Sequence, residues 1–228
     1  MSKMIEARIA KIKERIGRAA QKQGVSPDSI KIVAVTKTAT VPQMLEVLES
    51  GLKDFGINHV QDGIEKTKLL LAYKEITWHL IGHLQTNKAK DAVDRFHIFH
   101  ALDSIRLAEK LNYQALKADK EYPIMVEVNI SQEATKYGIA REDFFSFLEQ
   151  LKQFGNLKIS GLMTVAPVCD DPEESRPYFR ELKGLFDLIK AEKNFPEMKY
   201  LSMGMSEDFE VAVEEGANVV RIGRAIFK

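Results

Sequence analysis

The sequence predicts a single-domain α/β fold, a (β/α)8 barrel of the TIM type with an extra helix before its first strand. Eight short apolar segments alternate with segments of helical periodicity, which is typical of a parallel sheet. The chain has 228 residues, and eight such units match the usual size of this barrel. The alternative is an open doubly wound sheet, which usually has fewer strands. Its nucleotide-binding form also has a glycine-rich turn after the first strand, where this sequence reads TKTATVPQ.

The predicted strands are apolar runs bounded by polar or turn-forming residues. They cover residues 32–36, 54–57, 77–82, 98–102, 124–130, 158–165, 199–203 and 218–223. The predicted helices cover 42–50, 59–73, a short segment within 86–96, 104–117, 142–154, 177–192 and 206–216. Before them, Ile5, Ile9, Ile12 and Ile16 follow helical spacing, so we expect an amphipathic helix packed on the barrel. No linker or change of composition divides the chain, so one domain is expected over residues 1–228.

The composition limits the classes of partner. The chain has 33 Lys and Arg against 33 Asp and Glu, and the absence of a long basic run argues against nucleic-acid binding. The charged start has no apolar signal region and no run is long enough to span a membrane. The lone Cys169 excludes an internal disulfide and suits a reducing compartment. We therefore expect a cytoplasmic protein without nucleic-acid or membrane partners. The absence of a swapped domain in the sequence permits a monomer, with a dimer as the alternative.

Two predicted loops resemble a phosphate site. In TIM barrels phosphate is often held by the loops after strands seven and eight. Strand seven leads into SMGMSED, where Ser206 is a candidate N-cap whose helix would bind an anion at its first amides. Strand eight leads into RIGRAIF, where Gly223 lets the backbone approach a ligand closely. Arg221 shares a strand face with Gly223, so it is a candidate to bind an anion or a ring nitrogen.

Lys37 follows strand one, which neighbours strand eight in a closed barrel. A lysine that is partly desolvated beside a cation has a lowered pKa, which favours the neutral amine that forms Schiff bases. Together with Arg221 and the phosphate loops, Lys37 would suit a phosphorylated aldehyde with a ring nitrogen. Pyridoxal 5'-phosphate (PLP) combines these groups.

Three residues on the middle strands are further candidates for contacts to such a ligand. Asn58 lies just past strand two, where its amide could bond a ring hydroxyl. His79 lies on strand three, where a structural role is more common for a histidine than ligand contact. His83 follows four residues later, but no acidic third ligand is evident, so a metal site is not expected. Met163 could pack against a ring, although a core methionine is the default.

Eight runs in the chain carry a resemblance to a known family. They read VAVTK, FGINHVQ, WHLIGHLQTNK, VEVNIS, KYGI, GLMTVAP, LSMGMSEDFEVAVEEG and VRIGRAIF. Together they resemble the pyridoxal-phosphate homeostasis protein family, also called the proline synthetase co-transcribed family. The resemblance implies a barrel like the N-terminal domain of alanine racemase, which holds PLP as a Schiff base. It also implies a role in vitamin B6 homeostasis without established turnover, by buffering PLP or delivering it to apo-enzymes.

The resemblance assigns roles to residues of this sequence. Lys37 would bind the aldehyde, Arg221 would face the pyridine nitrogen, and Ser206 with the backbone around Gly223 and Arg224 would hold the phosphate. Three more residues would lie near the ring or the phosphate: Asn58, Met163 and Ser202. The sequence departs from the family pattern at Ile57 and His59, where Glu and Tyr are common, and at Arg224, where a small hydroxyl residue is common.

Two enzymatic alternatives remain at this point. A weak PLP-dependent amino-acid racemase would share the same site, but racemisation needs bases on both faces of the adduct, and the sequence shows no second β-rich domain. An arginine at the ring nitrogen would also weaken the cofactor as an electron sink. A phosphosugar aldolase would need a Schiff-base lysine deeper in strand six, where only Lys158 occurs, at the opposite end.

Overall fold

The computed structural model describes residues 2–133, 135–192 and 195–228. The strands are β1 (Lys31–Val35), β2 (Asp54–Ile57), β3 (Thr77–Leu80), β4 (Ile98–Leu102), β5 (Tyr122–Asn129), β6 (Ile139–Ala140), β7 (Leu157–Met163), β8 (Tyr200–Ser202) and β9 (Val219–Ile222). The helices are α1 (Ser2–Gln23), α2 (Val41–Glu49), α3 (Val60–Leu69), α4 (Ala89–Arg95), α5 (Ile105–Lys117), α6 (Phe144–Leu151), α7 (Arg176–Glu192), α8 (Phe209–Glu214) and α9 (Arg224–Phe227).

Eight of these strands close into a parallel barrel. Their order is β4-β3-β2-β1-β9-β8-β7-β5, and β4 pairs with β5 to complete the circle. The two-residue β6, which the sequence did not predict, extends the sheet by pairing with the end of β5. A helix follows each barrel strand, so the predicted (β/α)8 barrel is confirmed. The eight predicted strands correspond to the eight strands of the barrel.

The additional helix α1 lies against the outside of the barrel. Ile5, Ile9, Ile12 and Ile16 are 2–4% exposed, as their helical spacing predicted. A polar contact borders this apolar face, because Arg15 forms an ion pair with Glu210 of α8 at 2.6 Å. Within the described residues, no helix is both long enough and apolar enough to span a membrane.

Alternation along the strands separates an outer apolar layer from a more polar interior. On β2 and β3, Phe55 and Leu80 are fully buried in the outer layer. Gly56 of β2 and His79 of β3 are paired in register, and both face the barrel interior. A methyl group at Gly56 would lie 2.9 Å from Val33 Cγ1, so the interior has no space for a side chain there. Barrel interiors are usually filled by branched aliphatic residues. This one also buries histidines and an arginine, which bear on the site below.

Candidate functional site

Two adjoining cavities open at the carboxyl ends of the barrel strands. The first, here called the β9 compartment, is about 440 Å³ and includes Lys37, Ser206, Arg221 and Gly223 in its lining. The second, here called the β3 compartment, is about 640 Å³ and includes His83 and Glu127. Both are lined by Lys37, Asn58, Ile81 and Val165, so they are two halves of one mouth. Volumes of this order suit a small cofactor.

Lys37 lies in the turn that follows β1, at the rim of both compartments. The turn is anchored because Thr36 donates its backbone N–H to the Gly56 carbonyl at 2.9 Å, and Lys66 of α3 donates to the Thr36 carbonyl. Among the described residues, no hydrogen bond or ion pair engages the Lys37 amine. Lys37 is exposed, so the partial desolvation expected from the sequence is wrong for the protein without a ligand.

Arg221 lies on β9 with its guanidinium buried inside the barrel top. It is 4% exposed, and it donates to the Ser202 carbonyl at 2.8 Å, to Ser202 Oγ at 2.7 Å and to the Thr164 carbonyl at 2.8 Å. Burial lowers the pKa of Arg221 to about 10, although Glu127 and Asp208 oppose this shift. The side chain therefore remains a cation at neutral pH, held rigidly at the floor of the β9 compartment.

The loops after β8 and β9 meet at Ser206. Ser206 Oγ accepts a hydrogen bond from the backbone N–H of Ala225 at 3.2 Å. The predicted N-cap role of Ser206 is wrong, because α8 begins at Phe209 with Asp208 at its N-cap. The chain forms turns before that point, and Asp208 instead accepts the Met205 N–H at 2.6 Å.

Gly223 and Arg224 complete this side of the mouth. A methyl group at Gly223 would lie 3.3 Å from the Val35 carbonyl oxygen, so the loop after β9 packs closely against the end of β1 there. Arg224 lines the β9 compartment, and its guanidinium forms an exposed ion pair with Glu207 at 3.2 Å. Its charge therefore lies at the rim.

Asn58 lies immediately after β2 and lines both compartments. Its Oδ1 atom is buried and has no hydrogen-bond partner in the structure. Leaving a buried acceptor unsatisfied costs about 1–3 kcal/mol. A hydroxyl group on a bound ring would supply the missing donor, so this orphaned oxygen fits the predicted ligand.

The remaining predicted residues lie below the mouth. His79, Met163 and Ser202 are 2%, 1% and 0% exposed, and none of them lines either compartment. Met163 packs in the core, in register with Ser202 of β8. Ser202 contacts Arg221 directly. His79 bonds Asp54 at 2.8 Å and His100 at 2.8 Å, so it reaches the mouth only through other residues.

Glu127 is a mouth residue that the sequence analysis did not single out. It lies near the end of β5, is 7% exposed and lines the β3 compartment. Burial raises its pKa to about 7; nearby Asp103 adds to this shift and Arg221 opposes it. The signal in the sequence was a glutamate inside the apolar strand VEVNI, at a position where a carboxylate must face either the interior or a ligand.

An aromatic pair borders the β3 compartment. The His83 and Tyr137 rings stack with centroids 4.0 Å apart, and His83 Nδ1 bonds Asp103 Oδ2 at 3.1 Å. Tyr137 belongs to the segment between β5 and β6 and lines the β3 compartment. No group of metal-ligating side chains occurs among the residues whose positions are described.

Comparisons with known proteins agree with this geometry. The family model described as "Alanine racemase, N-terminal domain" matches residues 8–228. The pyridoxal phosphate homeostasis protein of Aquifex aeolicus is 38% identical over 220 residues, which are 96% of each chain.

Solved structures give the same pattern. PipY of Synechococcus elongatus PCC7942, solved with PLP bound, has a TM-score of 0.85 and 31% identity, covering 98% of this chain and 100% of that chain. Alanine racemase of Clostridium difficile 630 has a TM-score of 0.72 at 15% identity. The match covers 99% of this chain and 56% of the racemase chain, and at this identity it shows the shared fold alone.

Proposed function

Because the chain belongs to the family of the alanine racemase N-terminal domain and of the pyridoxal phosphate homeostasis proteins, as its sequence runs predicted, we propose that it binds PLP and acts in the homeostasis of that cofactor. One observation carries this proposal. A single cavity of about 440 Å³ brings together the Lys37 amine, the unpaired Asn58 oxygen and the Arg221 cation. These are an amine for the aldehyde, an acceptor for the ring hydroxyl and a donor for the ring nitrogen.

The phosphate group would lie between the loops after β8 and β9. Ser206 and the backbone at Gly223 line the β9 compartment close to Arg221. Arg224 adds a cation at the rim, although its ion pair with Glu207 competes for that charge. We therefore assign Ser206 and Gly223 to phosphate contact and Arg224 to long-range attraction, which salt screens.

PLP supplies a reactive aldehyde and a conjugated ring when it is bound. Lys37 would capture the aldehyde by forming a carbon–nitrogen double bond, with loss of one water molecule. Only a neutral amine attacks an aldehyde, and the exposed rim gives Lys37 access to solvent for proton exchange. Lys37 already lines the cavity, and the anchored turn after β1 would keep its backbone in place there.

We further propose that this site stores or delivers PLP without turnover. The guanidinium of Arg221 has no acceptor atom, and placed at the ring nitrogen it would keep that nitrogen unprotonated, which weakens the ring as an electron sink. A weak amino-acid racemase is the alternative, because Glu127 offers one titratable group in the mouth. His79 and Met163 would act from behind the mouth, through Ser202 and Arg221, rather than by contact with PLP.

The wider context is also part of the proposal. Residues 1–228 would form one PLP-binding domain, monomeric and cytoplasmic, with a dimer as the alternative. Its partners would be PLP and the apo-enzymes that use PLP. These expectations follow from composition and from the family, and gel filtration with native mass spectrometry would test the oligomeric state.

The absorbance spectrum of the purified protein loaded with PLP tests the central claim. We expect a band near the visible edge in the wild type and in Lys53→Ala, a control on the exposed turn before β2. The band should be absent in Lys37→Ala. Borohydride reduction followed by peptide mass spectrometry should place the pyridoxyl group on residue 37. A wild-type protein that stays colourless with PLP would refute the proposal.

The racemase alternative is tested by incubating the loaded protein with L-alanine and resolving the two enantiomers by chiral chromatography. We expect no conversion above the rate of free PLP. A kcat in the ordinary enzymatic range, about 1 s⁻¹ or more, would contradict the carrier proposal and favour the racemase.

A further inference from the structure

A continuous chain of hydrogen-bonded side chains runs through the barrel interior beneath the mouth. Its upper end is the bond from Arg221 to Ser202 Oγ at 2.7 Å, described above. Ser202 Oγ lies 3.2 Å from His100 Nδ1, and His100 Nε2 lies 2.8 Å from His79 Nδ1. His79 Nε2 then lies 2.8 Å from Asp54 Oδ1.

The lower end of this chain faces the opposite end of the barrel. Asp54 lies at the start of β2, and Lys31 of β1 donates to its Oδ1 atom at 2.8 Å. Both residues line a cavity of about 340 Å³, here called the bottom cavity, together with His79 and Glu121. The chain therefore connects the bottom cavity with the floor of the proposed PLP site.

The charged ends fix the direction of every bond between them. Burial lowers the pKa of His79, against the opposing effect of Asp54, and it lowers the pKa of His100 well below the ordinary value, so both rings are neutral. Burial alone would raise the pKa of Asp54, but its bonds to His79 and Lys31 outweigh that effect and leave the pKa lowered. Asp54 is therefore a carboxylate at neutral pH.

A carboxylate can only accept, so His79 must donate from Nε2. A neutral imidazole has one donor and one acceptor, so His79 Nδ1 accepts and His100 Nε2 donates to it. His100 Nδ1 then accepts from the Ser202 hydroxyl, and Ser202 Oγ accepts from the Arg221 guanidinium. All the bonds point the same way, from the cation to the carboxylate.

Reversal of this chain would loosen Arg221. If His100 donated to Ser202, the serine oxygen would accept from two donors, and its own hydrogen would need another acceptor in a fully buried position. The bond to Arg221 would weaken as a result. Aligned hydrogen bonds also polarise one another, so the negative end strengthens the bond at the far end.

From this geometry we infer that Asp54 is a positioning residue for the proposed PLP site, acting through His79, His100 and Ser202 to hold Arg221 in the orientation that meets the ring nitrogen. The inference rests on the proposed function. It assigns a role to the opposite end of the barrel, which does not touch the ligand, and it gives the predicted site residue His79 a role that needs no contact with the mouth.

Nitrogen-15 NMR of the protein without PLP tests the direction of the chain independently of the cofactor. In the wild type we expect His79 and His100 to be neutral and protonated on Nε2 only. Asp54→Leu, which removes the terminal acceptor, should change the tautomer of His79 or produce a mixture. Asp54→Asn keeps an acceptor oxygen and should retain the wild-type pattern. A charged ring, or an Nδ1-protonated ring in the wild type, would overturn the inference even if no variant folds.

PLP loading tests the coupling to the mouth. In Asp54→Leu we expect the PLP dissociation constant to rise about tenfold, the lower end of the loss seen when groups behind metal ligands are removed, and the absorbance maximum of the bound ligand to shift. Asp54→Asn, which keeps an acceptor oxygen, should bind PLP as the wild type does. Glu121→Leu is the matched control, because Glu121 lines the same bottom cavity but bonds Lys158 at 2.7 Å rather than a histidine.

The two claims fail in different ways. Wild-type protein that takes up no PLP would refute the proposed function and with it the positioning role, while the NMR pattern would still decide the direction of the chain. Uptake of PLP by the wild type, combined with an unchanged affinity and spectrum in Asp54→Leu, would refute the positioning role alone.

Discussion

The buried carboxyl of Glu127 should make the stability of the protein depend on pH in an unusual direction. Glu127 is 7% exposed at the end of β5, and burial raises its pKa from 4.5 to about 7. Asp103 also raises the pKa, and Arg221 lowers it without cancelling the effect of burial. The folded protein therefore holds this proton more tightly than the unfolded chain does.

The sign and size of the effect follow from linkage. Between pH 4.5 and about 7, the folded state binds more of this proton than the unfolded state, so the Glu127 contribution to stability falls as pH rises. It is fully present below pH 4.5 and is lost once pH exceeds about 7. At 1.36 kcal/mol per pH unit, the loss is about 3 kcal/mol.

Urea denaturation of the wild type and Glu127→Gln, at pH 5 and at pH 8, measures this contribution. Glutamine imitates the neutral carboxyl, so the stability of the variant relative to the wild type should rise as pH rises. Because pH 5 already lies above 4.5, we expect a rise of about 2.5 kcal/mol between these two pH values. Glu142→Gln, at an exposed position, is the control for the Glu-to-Gln change itself. A pH-independent difference for Glu127→Gln would refute the reasoning.

Three further changes have clear expected outcomes. Gly82→Ala would place a methyl group 2.3 Å from the Asn58 carbonyl oxygen, so it should lower the free energy of unfolding by about 1–3 kcal/mol, and an unchanged urea midpoint would contradict this. Asn58→Leu removes the orphaned acceptor; its urea midpoint should not fall, whereas its PLP dissociation constant should rise about tenfold in absorbance titrations. Ile9→Ala, at a 2%-exposed position, should cost about 2–5 kcal/mol, against little change for the exposed Lys11→Ala; equal urea midpoints would contradict the docking of α1.

The elements that could be predicted from the sequence are those with a strong local pattern. The strand β4 is buried at all five positions, and its run of apolar residues around His100 predicted it at the correct bounds. The start of α8 was placed too early because Ser206 resembles an N-cap locally. Its hydroxyl instead bonds Ala225, 19 residues away, a partner that no local pattern shows. The strand β6 has two residues and exists only because the end of β5 pairs with it.

The rule that barrel sites lie at the carboxyl ends of strands, together with the family resemblance, predicted the mouth residues Lys37, Asn58, Ser206 and Gly223 but not Glu127. The interior chain was not predicted, because it depends on register between strands. His79 pairs with Ile98, so His100, two residues further along β4, faces the same interior. Side chains alternate between the inner and outer faces of a strand, and this alternation could have grouped these two histidines with Asp54. It could do so only once the order and register of the strands were known.

The polar interior is itself an argument for function. Barrel interiors are stable with branched aliphatic side chains, and replacing a buried polar network by apolar residues of similar volume is often neutral or stabilising. This barrel instead encloses two histidines, a serine and an arginine that are each at most 4% exposed. Packing alone does not require these groups. A fixed cation at the floor of the mouth does require polar groups beneath it. Arg221 can keep its charge and orientation there only if Ser202 and Thr164 accept its hydrogen bonds.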